Sequence, residues 1–387
     1  MNTQDTPIHV RLWHREFWLM AVANLLLTCS VYMLIPVLPT WMLAEGFSLK
    51  ETGLVMGVFS IGLFVLGPFC SYLVQRYRRN WVCMLAISAM AAVYSLMFYQ
   101  ENASFTMLVI SRLLLGAAFG LAQMVLSSTL IIDASESNQR TEANYSAAWF
   151  GRFALSLGPL VGLIVYGMRG FEDVLMLSIA CAGLAILFIL MVNFPFRTPG
   201  DRVSVFSLDR FFLVKGTPLF LCLAAITTIM GLLMAAPLQR MFYAMMMAGF
   251  LFAILAKHFV FKDAELKSEV VTGLLLIISA LLLMLFRQHV AIVRFVAPLF
   301  VGFGAGTIGS RFILYFIKLS RHCQRGTSQS TFMLAWEGGI SAGIGVGYYF
   351  LWGNTSSVLK ASLLLAVIVL LAYVFIVHNW FVEHKNR

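Results

Sequence analysis

Charge is what this sequence has least of. Lys, Arg, Asp and Glu together make up 11% of its 387 residues, where an ordinary soluble domain carries about 25%, so a water-facing surface cannot be assembled from them. The 60% hydrophobic content and mean hydropathy of +0.88 indicate an all-α polytopic membrane protein. Its six cysteines (Cys29, Cys70, Cys83, Cys181, Cys222 and Cys323) follow no pairing pattern. That argues against a disulfide framework and gives no metal site. No H-E-x-x-H is present and no soluble sensory domain is appended, so an enzyme, a sensor and a cofactor all lack support. His258, His289 and His378 are far apart and near span ends, where solvation accounts for them. A formal charge of +10 raises nucleic acid as a partner. The basic residues, however, sit in short clusters between apolar runs, which is how membrane topology is signalled.

What is present is a series of long apolar runs. Crossing hydrocarbon takes about 20 apolar residues, and on that rule about twelve helices are expected. The first six cover 17–41, 52–74, 81–99, 106–132, 144–167 and 174–193; the second six cover 218–236, 240–260, 270–286, 290–318, 331–351 and 357–381. The polar start MNTQDTPIHVRLWHRE precedes an apolar stretch too long for a signal-peptide core and without a small-residue cleavage site, so an uncleaved first helix is expected. Pro, Gly and charges between the two sets mark a linker. The expected organisation is a bundle over 1–193, a cytoplasmic linker over 194–217 and a second bundle over 218–387.

Basic residues alternate from turn to turn. Arg11 and Arg15, then Arg76, Arg78 and Arg79, Arg140, the linker (Arg197, Arg202, Arg210, Lys215), Lys262 and Lys267, Lys318, Arg321 and Arg325, and finally Lys385 and Arg387 lie on one side. The intervening turns hold only Lys50, Arg169, Arg240 and Arg287. This predicts that both termini are cytoplasmic. Trp41, Trp81, Trp352 and Trp380 fall near span ends, as an interface belt requires.

The stretch from Arg112 to Gly162 returns half a chain later. Gly116 and Gly120 are answered by Gly302 and Gly306, Gln139-Arg140 by Gln324-Arg325, and Trp149-x-Gly151 with Gly158 by Trp336-x-Gly338 with Gly345. Such a parallel duplication is characteristic of transporters. Gly304-x-Gly306-x-x-Gly309 matches a dinucleotide fingerprint in letters, but no strand precedes it, and helix packing explains the glycines.

Two six-helix bundles, a basic second turn and a central linker resemble the major facilitator superfamily over nearly the whole chain. The family's second-turn motif G-x-L-x-D-R-x-G-R-R corresponds to Ser71, Tyr72, Leu73, Val74, Gln75, Arg76, Tyr77, Arg78, Arg79 and Asn80. Leu73, Arg76 and Arg79 are kept, whereas both glycines and the acid are replaced. The positive cluster therefore survives without the acid that a latch of the usual kind would use. Arg112 and Gly116 resemble the helix-four R-x-x-x-G pattern. Ala154, Gly158, Pro159 and Gly162 resemble the exporter motif G-x-x-x-G-P-x-x-G, with Ala154 in place of the first Gly. The resemblance implies alternating access around a site near the bilayer midplane.

Individual residues then suggest a cavity. Asn24, Thr28 and Tyr32 recur at four-residue steps on the first helix, and Arg112, Gly116, Gly120, Gln123 and Ser127 share one face of the fourth. Arg112 either lines the cavity or snorkels to the outer interface. Arg152 and Glu337 lie well inside spans, and each needs a partner, since an unpaired charge at a helix centre costs about 3 kcal/mol. Glu337 is the one carboxylate placed clearly within a span; it is a candidate for proton coupling, or else for a gate with Arg76 or Arg79. Thr227, Arg294, Arg311 and Trp336 complete the cavity candidates. Gly116, Gly120, Gly158, Pro159, Gly162, Gly302 and Gly306 are assigned to helix packing or hinges.

Set against Glu337 alone, Arg112, Arg152, Arg294 and Arg311 make an electropositive cavity. Such a cavity favours anionic or neutral polar solutes over lipophilic cations. The expectation is a secondary transporter of a small organic solute in a bacterial cytoplasmic membrane, exporting it in exchange for protons. Uptake or facilitated passage of an organic anion, and flipping of a lipid or lysolipid, are the alternatives.

Overall fold

The computed structural model describes residues 12–99, 104–136, 139–194, 204–260, 265–321 and 324–386. Arg11, Arg197, Arg202, Lys262, Cys323, Arg387 and the side chain of His258 lie outside the described residues. Twelve long helices result: α1 (Arg15–Ala44), α2 (Leu49–Arg76), α3 (Arg79–Phe98), α4 (Phe105–Asp133), α5 (Arg140–Arg169), α6 (Phe171–Leu190), α7 (Thr217–Met234), α8 (Arg240–Phe259), α9 (Leu266–Phe286), α10 (Val293–Leu319), α11 (Arg325–Tyr349) and α12 (Thr355–His384). The turns are short and their chemistry is local. Ser48 and Glu51 form a reciprocal capping box at the start of α2. Gly170 joins α5 to α6 alone, at a φ of +98° that a side chain would oppose.

Eleven of these helices are long and apolar enough to cross a membrane. The exception is α11, which begins at Arg325, six residues before the expected 331. Thr327, Ser328, Gln329, Ser330 and Thr331 hid its first turns from a hydropathy reading. All five are buried against other helices, and Ser328 and Thr331 donate back to the carbonyls of Gln324 and Thr327. A polar helix is tolerated here because lipid never meets it. Large apolar residues remain exposed on the outer faces of most helices, among them Leu85, Leu187, Leu275 and Ile368.

Helix contacts repeat. α1 packs on α5 and α6, α4 on α2 and α3, and α3 on α6; in the same way α7 packs on α11 and α12, α10 on α8 and α9, and α9 on α12. Two bundles of six with one internal architecture follow from this. They meet through α2 against α11 and α5 against α8, a pair of contacts that a two-fold exchange of the bundles interconverts.

Backbone-close seams hold each bundle. A Cβ on Gly116 would lie 2.5 Å from the Phe59 carbonyl oxygen, and one on Gly302 would lie 2.1 Å from that of Met246. Gly120 abuts Leu63, and Gly306 abuts Ala253 and Trp149. Gly158 and Gly162 lie against Tyr32 and Met33 of α1, with buried Pro159 between them. One proposed correspondence fails at this level. Gly345 packs on Gly53 and Gly57 of α2, across the bundle interface, while the α7 contact equivalent to that of Gly158 is made by Gly339 and Gly343.

Replacing Gly116 or Gly302 with Val is expected to destabilise the chain by about 1–3 kcal/mol through overpacking, read as a lower melting temperature of purified protein in detergent. Gly183→Ala, where an added Cβ meets nothing within 4 Å, should leave it unchanged.

Candidate functional site

Between the bundles, α1, α4, α5 and α11 enclose a small cavity of about 50 Å³. One wall is an amide network. Gln123 Nε2 donates to Asn24 Oδ1 at 3.0 Å and to Thr28 Oγ1 at 2.8 Å, while Asn24 Nδ2 donates to the Ala147 carbonyl at 3.0 Å. Three helices are thereby pinned at one point. Ser127, Asn144 and Gln329 extend the polar lining toward the basic face, the side carrying Arg76, Arg79 and the linker; Phe332, Met333 and Trp336 supply an apolar wall.

Arg152 projects into this space. It lies twelve residues into α5, about 18 Å along the axis, and is 2% exposed. Its guanidinium carbon stands 4.5 Å from the Trp149 ring centroid and 6.0 Å from that of Trp336, one tryptophan from each bundle. Nη1 donates to Ser310 Oγ at 2.9 Å, while Nε and Nη2 have no hydrogen-bond partner. Among the described residues no carboxylate pairs with it. Such a group is ready to bind an anion, because a carboxylate satisfies two guanidinium donors at once.

Glu337 lies equally deep, twelve residues into α11 and 7% exposed. Tyr32 Oη donates to its Oε1 at 2.6 Å, tying α1 of one bundle to α11 of the other. Tyr32 is not itself on the cavity wall; it acts there through Glu337. Arg79 pairs with Asp133 at the end of α4 and Arg76 is exposed, so neither arginine of the basic turn forms the expected gate with Glu337.

The model of the Major Facilitator Superfamily matches residues 20–344. The chain belongs to that superfamily. It is therefore a multi-pass membrane protein of a transporter superfamily. The crystal structure of the human organic anion transporter MFSD10 (TETRAN) superposes with a TM-score of 0.69 at 17% identity, covering 92% of this chain and 98% of that one. A mutant of the nucleoside transporter NupG gives 0.67 at 14%, covering 93% and 99%. Protein spinster homolog 1 of Xenopus laevis is 30% identical over 142 residues, 37% of this chain and 26% of that protein. The uncharacterized MFS-type transporter YddS of Bacillus subtilis (strain 168) is 25% identical over 186 residues, 46% of this chain and 39% of that one. The chain thus spans well under half the length of either curated relative in these matches.

Within this superfamily fold, four more of the expected cavity residues, besides Tyr32, stand elsewhere. Arg112 is 3% exposed and stacks 4.7 Å over Phe59, inside the first bundle; it neither lines the cavity nor snorkels. Thr227 donates to carbonyls of its own helix and, at 3.0 Å, to that of Ala335, stapling α7 to α11. Arg294 is exposed at the start of α10. Arg311 is neutralised by Glu269 of α9, a buried carboxylate that a span starting at 270 left outside. The electropositive count therefore reduces to Arg152 alone. Sequence reading also passed over Asn144, Gln329, Ser310 and Lys257, whose ammonium stands 3.5 Å from the Tyr145 ring centroid. A lone lysine in an apolar helix was the available signal for the last.

Glu269→Gln leaves a partly buried guanidinium without its counter-charge and should cost about 3 kcal/mol, seen as a fall in thermal stability. Replacing Glu269 and Arg311 together with leucine should recover most of that loss.

Proposed function

We propose that the chain carries a small organic anion through alternating exposure of the central cavity, with Arg152 binding the anionic group and Glu337 carrying a proton. What supports this reading is an arginine on the cavity wall whose buried guanidinium has two unpartnered nitrogens. The cavity also offers the unpartnered acceptors Asn144 Oδ1 and Gln329 Oε1. A carboxylate that bears N–H or O–H donors and a short apolar portion matches this lining, whereas a lysolipid acyl chain does not.

The signs of the two charged groups bear on coupling. Protonating Glu337 removes a negative charge from the cavity that must hold an anion, so proton and anion strengthen each other's binding reciprocally. Groups that bind together travel together, which favours proton-linked uptake over exchange. The exporter-like letters of α5 are occupied in packing on Tyr32 and Met33 and carry no argument about direction. We take the basic face as cytoplasmic, residues 194–217 as the link between two rocking bundles, and a bacterial inner membrane as the location.

The test begins with a thermal-shift panel of small carboxylates, their amides and the matching amines on purified protein. Carboxylates should stabilise the wild type, and Arg152→Ala should weaken their binding about 10- to 100-fold, the worth of a charged hydrogen bond. Equal stabilisation by the amines would sink the reading. In proteoliposomes an outside-acid gradient should drive uptake of the best carboxylate, and its affinity should decline as pH rises. Glu337→Gln should flatten both dependences while sparing counterflow; a gradient response like that of the wild type would remove Glu337 from coupling.

A further inference from the structure

Where α2 faces α11, the two mouths of the cavity are shut by different chemistry. Away from the basic face, α2 and α11 touch backbone to backbone: a Cβ on Gly53 would lie 2.7 Å from Tyr349 N, and one on Gly345 would lie 2.7 Å from Gly57 Cα. Ser341 Oγ adds a hydrogen bond to the Met56 carbonyl at 2.8 Å. On the basic face α11 does touch α4, where a Cβ on Gly326 would lie 2.8 Å from the Ser128 carbonyl oxygen, but between α2 and α11 a piece of the linker inserts instead.

Its attachments are specific. Ser71 Oγ of α2 donates to Asp209 Oδ2 at 3.2 Å, and Thr327 Oγ1 of α11 donates to Oδ1 of the same carboxylate at 3.0 Å. One side chain thus bridges the two bundles. Gln75, which stands where the resembled motif has its acid, donates to Ser71 Oγ at 2.8 Å and holds it toward Asp209. Arg210 takes a left-handed φ of +57°, which turns its N–H onto Thr327 Oγ1 at 2.8 Å; its Nη1 reaches Thr129 of α4 at 3.3 Å. Leu213 N donates to Thr331 Oγ1 at 2.8 Å, and Ser207 N to the Pro68 carbonyl at 3.0 Å. Phe211 fills the space left by Gly67, where a Cβ would come within 2.1 Å of its ring. Thr327 and Thr331 flank Gln329 of the cavity wall, and Thr129 lies between Ser127 and Ile131 of that wall. The segment therefore lies directly beneath the cavity.

We infer that residues 206–213 form a removable strap that closes the basic-face mouth, with the Asp209 carboxylate as the clasp between α2 and α11. The clasp takes over the inter-bundle bridging that the second turn, with Gln75 in place of an acid, does not supply. It is made of single hydrogen bonds from hydroxyls to a carboxylate that is 47% exposed, so water can replace them at small cost. The glycine contacts at the other mouth offer no such exchange. Release of the strap is then the step that exposes the cavity on the basic face, whichever solute is carried.

Two measurements on the full-length chain in lipid nanodiscs test this. In wild-type protein, hydrogen–deuterium exchange should show the amides of Ser207, Arg210 and Leu213 protected at least about tenfold relative to free peptide; exchange at free-peptide rates overturns the strap. With Gln329→Cys as reporter, labelling by a water-soluble maleimide is read peptide by peptide, so that native cysteines do not interfere. Asp209→Ala and Thr327→Val should each raise the rate at position 329 about tenfold, the equivalent of about 1.4 kcal/mol toward the open mouth. Rates within twofold of the parent, in variants whose α4 and α11 exchange is unchanged, overturn the clasp.

Discussion

A guanidinium cannot stay charged in hydrocarbon without something to share its charge, and the centre of this molecule is arranged around one that is only partly satisfied. Arg152 has a tryptophan from each bundle against it and a single hydroxyl accepting from it. Burial of two further N–H-bearing nitrogens without acceptors is a standing cost of the order of 1–3 kcal/mol for each. The fold tolerates it because the glycine seams and the twelve packed helices over-determine where α5 lies. An anion that enters the cavity recovers that cost on binding, so the same strain that weakens the empty site strengthens the filled one.

Where the other buried charges of the chain lie, rather than whether they are satisfied, identifies the site. Arg79 has Asp133, and Arg311 has Glu269; these pairs sit away from the cavity and serve as ties between neighbouring helices of one bundle. Arg112 rests on the face of Phe59 inside the first bundle, with its own Nε and Nη1 unpartnered, but it opens on no cavity between the bundles. Arg152 and Glu337 alone among these groups face the space between bundles, and they do so at the same helical depth. A solute and a proton can therefore meet in one compartment, where a change in one charge is felt by the other through a medium of low dielectric.

Hydropathy was enough to read the helices and their grouping into halves, because lipid imposes its pattern on the spans it surrounds. The depth of Arg152 and Glu337 was legible for the same reason. Helix rotation was not: Arg294, Arg311 and Arg152 all look like arginines near or inside spans, and only the packing of neighbours decides which one faces solvent, which faces a carboxylate and which faces the cavity. The start of α11 was lost because its polar residues are buried by protein, so that the lipid rule does not apply to them, and with it went Gln329. Glu269 was lost because a span boundary drawn at the first apolar residue excludes an acid one step before it.

The duplication shows what symmetry is used for in this chain. Gly116 and Gly302 recur because each bundle must bring the same two helices to backbone distance, and a larger side chain would fail equally in both. Trp149 and Trp336 recur and then converge on one arginine, so two copies of a packing residue become a single binding element. Arg152 and Glu337 have no such counterparts: one bundle supplies the cation and the other the acid. If each half carried both, every charge would find its partner within its own bundle, as Arg311 and Glu269 do, and the cavity would have no unsatisfied group to offer a solute. Dividing them between halves that move relative to one another leaves the pairing to be completed by the cargo, which is how a symmetric scaffold acquires a reason to change state when it is loaded.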